Sequence, residues 1–351
     1  MQLEEEFARY TRALHCVSMV NGTAAIRTAL WVLGVGRNKN DEVICPSFTW
    51  WPTVTPVTGL GAQVVFAEID PTTLTLDPAD VVRRITTKTK AVIVVHPLGM
   101  PADLDGLTDV CGHHNLPIIE DCCLAPGARY RGRHVGTFGA FGCFSMQAGK
   151  ALPAGEGGLL ITNDQDLYER AVLCGHPKRI KTLSEPYRGY GGTPIGGVKN
   201  RLNSIAALIG IDSLRQLDNY TAQAATAARR LFNGMAHLPG LDLLRVEPHV
   251  RPIYHYPVVR YDALRTGVNC TRLLEALQAE GLTANRNADL QHHHRFFVEQ
   301  GSDPHDLPIT NACAEGIIWL PRLHNADDQL IDQCIEAFVK VWANLDKLKD
   351  Q

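Results

Sequence analysis

Short apolar runs alternate along this chain with longer segments whose apolar positions recur at helical spacing. Strands are predicted over 43–46, 63–69, 91–96, 116–120, 139–145 and 158–162. Between them, 78–85 and 102–113 read as helices, and Ile26, Ala29, Leu30 and Leu33 mark an amphipathic helix near the start. Short buried strands alternating with helices predict an α/β fold with a mostly parallel sheet wrapped by helices. A helix over 168–173 leads into 175–197, which is rich in Gly, Pro, Lys and Arg and reads as a long functional loop. From 200 to about 238 a helical region is expected, broken near Asp218 and Asn219. It bridges a large domain, 1–238, to a smaller α+β domain, 239–351, with strands at 254–261 and 317–320 and helices at 270–280 and 327–348.

At 351 residues the chain exceeds one ordinary core, which agrees with two domains. Its net charge of −3 gives no basic footprint for nucleic acid. No segment approaches the length of a membrane span, and the acidic start, Met1-Gln-Leu-Glu-Glu-Glu, is unlike a signal peptide. Ten cysteines lie scattered without a CxxC pair, which reads as reduced thiols in a cytoplasmic protein.

The most informative chemistry is at Lys150. A hydrophobic strand leads to Ser145, the lysine follows five residues later, and a glycine-rich run leads out into 158–162. A lysine held on such a loop suits a Schiff-base enzyme, whose amine must return to the same carbonyl carbon after every turnover. Upstream, Ile118-Ile-Glu-Asp121 places a carboxylate at the carboxyl end of a buried strand, where ligands sit in open α/β sheets. An Asp there can keep a pyridine ring nitrogen protonated, which makes the ring an electron sink. Gly22 and Thr23 open a helix whose free N–H groups and dipole favour an anion, although Thr23 alone reads as an N-cap. Ser145 is placed to complete a phosphate cup, and Trp50, just past a strand, to lie on a ring face or in the core.

These pieces resemble, in order, the pyridoxal-phosphate sugar aminotransferases of the DegT/DnrJ/StrS family. The matching strings are NGTAA (21–25), DEVICPSFTWWPTV (41–54), AVIVVHPLGMPADLD (91–105), IIEDCCLAPGA (118–128), CFSMQAGKALPAGEGGLLITND (143–164), RLNSIAAL (201–208) and AEGIIWLPRLHNADDQLID (314–332). The 144–158 stretch most resembles the branch with scyllo-inosose aminotransferases and aminohydroxybenzoate synthases. The resemblance implies fold type I, the aspartate-aminotransferase-like architecture, with pyridoxal 5'-phosphate as cofactor. It implies Lys150 as the Schiff-base lysine, Asp121 on the pyridine nitrogen, Trp50 on the ring face, and Gly22, Thr23 and Ser145 on the phosphate. It further implies a homodimer in which Lys199 reaches the neighbour's phosphate as a point charge. Glutamine or glutamate is the implied donor and a keto-sugar or keto-cyclitol the acceptor, in amino-sugar or antibiotic biosynthesis.

The chain departs from the family pattern at Leu124, where Gln or His normally bonds the ring hydroxyl, at Pro126, at Lys199 in place of Asn, and at Ser204 in place of an acid. These departures motivate an alternative, a weakened paralogue serving an active partner as a subunit. The chain also starts at what resembles the family's first helix, so a preceding segment is expected to be absent or the start to be late. His292-His-His294 invites a metal reading, but consecutive residues point in different directions and no second ligand pair sits at metal spacing; a solvent-facing loop is expected, with one imidazole within reach of substrate. His96 reads as a satisfied core histidine, and Arg201 and Tyr254 as contacts to substrate or to a partner subunit.

Overall fold

The computed structural model describes residues 1–287 and 289–349. Strands β1 (His15–Met19), β2 (Glu42–Pro46), β3 (Gln63–Ala67), β4 (Thr89–Val95) and β5 (Ile118–Asp121) are followed by two-residue strands β6 (Arg129–Tyr130) and β7 (Arg133–His134), then β8 (Phe141–Ser145) and β9 (Gly158–Thr162). Seven of them form one sheet in the order β1-β9-β8-β5-β4-β2-β3. The run from β3 to β8 is parallel, and β9 and β1 add antiparallel at one edge. The sheet is therefore mostly parallel, as its apolar strands predict.

Alternation along β4 shows how both faces are buried. Val92 and Val94 pack with Leu104, Leu107 and Phe144 on one side. Ile93 and Val95 pack with Ile26, Leu30 and Phe141 on the other. Helices α1 (Gln2–Thr11), α2 (Gly22–Val32), α3 (Trp51–Gly59), α4 (Pro78–Arg84), α5 (Leu104–His113), α6 (Gln165–Gly175) and the short α7 (Pro177–Ile180) surround the sheet in chain order. Because β2, β4, β5 and β8 run in the same direction, their carboxyl ends open on one edge, where a parallel sheet places its ligands.

Helix α8 runs without interruption from Ser204 to Met235, so the expected break at Asp218 and Asn219 does not occur. The buried positions Leu214, Leu217, Thr221 and Ala224 keep helical spacing across the polar pair. Asp218 is occupied outside the helix, accepting from Tyr10 Oη at 2.7 Å.

Beyond α8, β10 (Leu241–Leu243), β12 (Val258–Tyr261) and β13 (Ile317–Trp319) form an antiparallel sheet, while β11 (Val250–Arg251) joins β6 and β7 in another. The strand expected from 254 begins only at Val258. Tyr254 has φ 49°, a left-handed backbone that a strand does not tolerate. The closing helix is likewise shorter than expected, Asp328–Trp342, with a separate 3₁₀ turn at Leu345–Lys347. Phe48, Ile69, Leu74 and Leu98 share a buried cluster with Val258, Leu290 and Ile317, which ties the large sheet to the β10-β12-β13 sheet beside the ligand edge.

Candidate active site

Strand pairing alone brings three distant segments to one point. Gly158 pairs with Ser145 on one side and Met19 on the other, so the end of β8 lies beside the turn from β1 into α2. A Cβ on Gly158 would meet Asn21 O at 2.3 Å, and one on Gly22 would meet Cys123 Sγ at 2.8 Å and Ser145 Cβ at 3.0 Å. Both glycines are required for this close approach, which explains the glycine-rich exit from the lysine loop. The cap of α2 is Asn21, whose side chain accepts from Ala24 N at 2.8 Å; Thr23 is not the cap. The N–H groups of Gly22 and Thr23 precede the first intrahelical acceptor and face no helical partner.

Asp121 ends β5 with 5% of its surface accessible. Its Oδ2 accepts from Thr53 Oγ1 at 2.7 Å and its Oδ1 from Cys123 N at 3.0 Å, so two donors fix the carboxylate. Burial and then the nearby Asp121 charge push the Cys123 thiol well above its ordinary value, which keeps it protonated. Beneath, Glu120 is wholly buried and accepts from Gly136, Phe138 and Gly139 N–H groups, each at 2.7 Å. His96 Nδ1 accepts from Ala102 N at 3.0 Å, so its Nε2 carries the proton toward Glu120 Oε2 at 3.1 Å. The core reading of His96 holds. Among the described residues one cluster, His96, Glu120 and Cys122, has metal-like spacing, and there His96 and Glu120 already bond protein groups, which leaves the buried carboxylate satisfied.

Lys150 sits on a loop whose stem is closed by Met146 N to Gly157 O at 2.7 Å and Ala148 N to Gly155 O at 2.9 Å. Arg322, from beyond β13, donates to Gly149 O at 2.5 Å and to the Tyr256 hydroxyl. His255 beside it is buried, and burial together with Arg322 and Lys150 pushes its pKa down to about 3. That imidazole is neutral, so it adds no positive charge behind the lysine.

A cavity of about 570 Å³ opens over these groups. Gly22, Thr23, Trp50, Asp121, Ser145 and Lys150 all line it. Trp50 stands at its rim, 56% exposed, as the residue before α3. Lys199 is exposed and does not line the cavity of its own chain; nor do Arg201 and Tyr254, which border two smaller pockets. Leu124, the departure from the family pattern, is on the cavity wall.

Several wall residues escaped the sequence reading. Gln147 and Glu156 lie inside the lysine motif without an assigned role, and Thr53 sits in α3. Tyr256 and Trp319 fall in segments that read as strands, and Asn287 and Asp289 in a stretch without a pattern; none of the four has a role legible in the sequence. The triple histidine is only partly solvent-facing. His292 is buried with Nδ1 2.6 Å from Ser47 Oγ, and burial pushes its pKa down to about 4. His293 reaches Pro304 O, and His294 reaches Asp289 on the cavity wall, so the three imidazoles turn to three separate groups.

A lysine, a buried carboxylate and an open helix end on one cavity at the ligand edge of a parallel sheet define the class of a cofactor-dependent transferase. The chain belongs to the DegT/DnrJ/EryC1/StrS aminotransferase family, whose sequence pattern matches residues 1–339. It is an aminotransferase and its cofactor is pyridoxal 5'-phosphate. It is 34% identical over 370 aligned positions to the L-glutamine:2-deoxy-scyllo-inosose aminotransferase of Micromonospora echinospora, covering 98% of this chain and 86% of that one. The enzyme of the same name from Streptomyces kanamyceticus is 38% identical over 361 positions, with 95% and 83% covered. Among solved structures, DesV of S. venezuelae in complex with a ketimine intermediate superposes with a TM-score of 0.86 at 30% identity, covering 97% of this chain and 88% of that one. 3-Amino-5-hydroxybenzoic acid synthase gives a TM-score of 0.86 at 28% identity, with 98% and 90% covered. Among the described residues no helix is long and apolar enough to cross a membrane.

Proposed function

We propose that this aminotransferase takes nitrogen from glutamine or glutamate and delivers it to the ketone of a keto-cyclitol or keto-sugar, in amino-sugar or antibiotic biosynthesis. The observation that carries the site assignment is the convergence of Lys150, Asp121, Ser145 and the amino end of α2 on one cavity. The relatives from M. echinospora and S. kanamyceticus, named for glutamine and a cyclitol ketone, support the substrate class.

The residues present fit the cofactor. Gly22 and Thr23 N–H groups, the Thr23 hydroxyl and Ser145 Oγ form an anion cup at the positive end of an 11-residue helix. Asp121, held by Thr53 and Cys123 N, is assigned to the pyridine nitrogen, and Trp50 to the ring face. When bound, the cofactor supplies an aldehyde for the lysine amine and a ring that withdraws electrons from the donor's α-carbon. The Lys150 amine would hold the group, and as a free amine on the same wall it would be the base that moves the proton at that α-carbon. Thr53 and Cys123 N keep Asp121 from rotating away while charge develops. Leu98, Tyr256 and Trp319 bring apolar surface to the wall and limit water near the lysine.

In this reading the enzyme is a cytoplasmic homodimer with Lys199 reaching the neighbour's phosphate, and residues 1–238 and 239–351 are its large and small domains. Borohydride reduction of the yellow holoenzyme followed by peptide mapping tests the assignment. The pyridoxyl group is expected on Lys150, and a label on another lysine contradicts the site.

A further inference from the structure

We propose that Asp289, held by His294, grips the acceptor by taking hydrogen bonds from its ring hydroxyls, and that the cavity selects a neutral or amine-bearing cyclitol over a sugar carrying a nucleoside diphosphate. The inference rests on the aminotransferase reading above and narrows its acceptor.

Asp289 lines the same cavity as Lys150 and Asp121. The chain around it is anchored on both sides. Asn285 exchanges backbone hydrogen bonds with Trp319 at 3.1 and 2.8 Å, and Gln291 N donates to Ser47 O at 3.1 Å. Gln291 Nε2 reaches Thr49 O at 3.0 Å, next to Trp50 at the rim. Asp289 Oδ1 accepts from His294 Nε2 at 2.7 Å, which fixes the carboxylate. Its Oδ2 has no hydrogen-bond partner among the described residues, and 36% of the side chain is accessible. A fixed carboxylate with one oxygen open to a cavity accepts strongly from hydroxyls and ammonium groups, and has nothing to donate to a phosphate.

The charge of the wall points the same way. Lys150 is the one Lys or Arg among the described lining residues, against the carboxylates of Asp121, Glu156 and Asp289. A diphosphate placed beside Glu156 and Asp289 would meet like charge, and no arginine is among the described lining residues; Arg322 stands behind the wall with its donors turned to Gly149 O and the Tyr256 hydroxyl. Trp50, Tyr256 and Trp319 offer apolar faces to the C–H surfaces of a ring, leaving its hydroxyls to the carboxylates.

The test separates the two half-reactions of the purified holoenzyme. Loss of yellow colour with glutamine reports the donor half; its return with 2-deoxy-scyllo-inosose reports the acceptor half. Asp289→Asn is expected to weaken acceptor binding roughly ten- to a hundred-fold, and to impair the donor half far less. His294→Ala should shift the acceptor half in the same direction by a smaller factor, with His294→Gln, which keeps a donor, between it and the wild type. The wild type should use the cyclitol ketone and not a thymidine-diphosphate keto-sugar. An unchanged acceptor KM in Asp289→Asn, equal losses in both halves, or preferential use of the nucleotide sugar overturns the proposal. If Asp289→Asn does not hold cofactor, His294→Ala decides by the same comparison. A wild type that no amino donor bleaches fails before any acceptor is added, and then the underlying reading falls.

Discussion

Thr53 Oγ1 donates to Asp121 Oδ2 at 2.7 Å, so the first turn of α3 fixes the carboxylate at the end of β5. Thr49 Oγ1 lies 2.8 Å from Thr53 Oγ1 and, with the Thr53 proton committed to Asp121, acts as the donor. Two hydroxyls in series therefore orient the acid assigned to the ring nitrogen. Thr53→Val keeps the shape and removes that bond. It is expected to lower kcat/KM by about tenfold, the scale of one hydrogen bond to a charged group. Steady-state kinetics checks this, with the absorption spectrum showing that cofactor remains bound. An unchanged kcat/KM would mean that Cys123 N alone suffices.

How far this site was legible depends on where its residues fall. Ser145 and Asp121 end strands, Gly22 starts a helix and Lys150 lies on the loop after β8, all inside contiguous motifs, so pattern and chemistry coincide. Thr53 did not stand out because α3, WPTVTPVTG, is built of Thr, Val and Pro, residues that argue against a helix by propensity. It forms because Pro52 occupies the first turn, where no N–H is required, and because Thr53, Val54 and Val57 gain burial. Strand β1 was missed for the opposite reason, as HCVSM is short and half polar yet gains a full antiparallel ladder from β9. Asp289 and Tyr256 are placed by tertiary packing alone. The local polarity of Asp218 and Asn219 suggests a helix break that does not occur, because Leu214, Leu217, Thr221 and Ala224 stay buried at helical spacing and Asp218 turns outward to Tyr10.

The two sites of the proposed dimer should exchange parts. Mixing a Lys150→Ala subunit with a Lys199→Ala subunit gives hybrids in which one site carries both defects and the other none. Activity per hybrid should recover to about half of wild type, since one of two equivalent sites is whole. No recovery, with hybrids demonstrated by native mass spectrometry, means that each subunit builds its own site.

Acid should destabilise the fold through its buried neutral histidines. Burial, then the Arg179 charge, pushes His176 down to about 4, and its Nε2 donates to Ser18 O at 3.2 Å. The unfolded chain binds a proton near pH 6.5 and the folded site only near 4, so His176's contribution to stability is full above 6.5. It declines as pH falls through that window and levels off below about 4. The single-site loss is on the order of 3 kcal/mol at its limit. Melting temperatures should fall from pH 7 to pH 4.5, and His176→Gln should flatten part of that slope. Parallel slopes for both proteins would show that His176 does not contribute.

The central claim is that Lys150 and Asp121 run an amino-transfer half-reaction despite Leu124. If Leu124 leaves the ring oxygen without a partner, the lost hydrogen bond would cost about 1 kcal/mol, a several-fold effect that leaves the nucleophile in place. The direct measurement is the absorption spectrum of purified holoenzyme titrated with glutamine and glutamate. The account predicts that the yellow band bleaches with at least one of them, and that Leu124→Gln shifts the band or the cofactor affinity only modestly. Lys150→Ala should show no such band. Bound cofactor that no amino donor bleaches, in both the wild type and Leu124→Gln, would contradict it and leave the chain as a subunit serving an active partner.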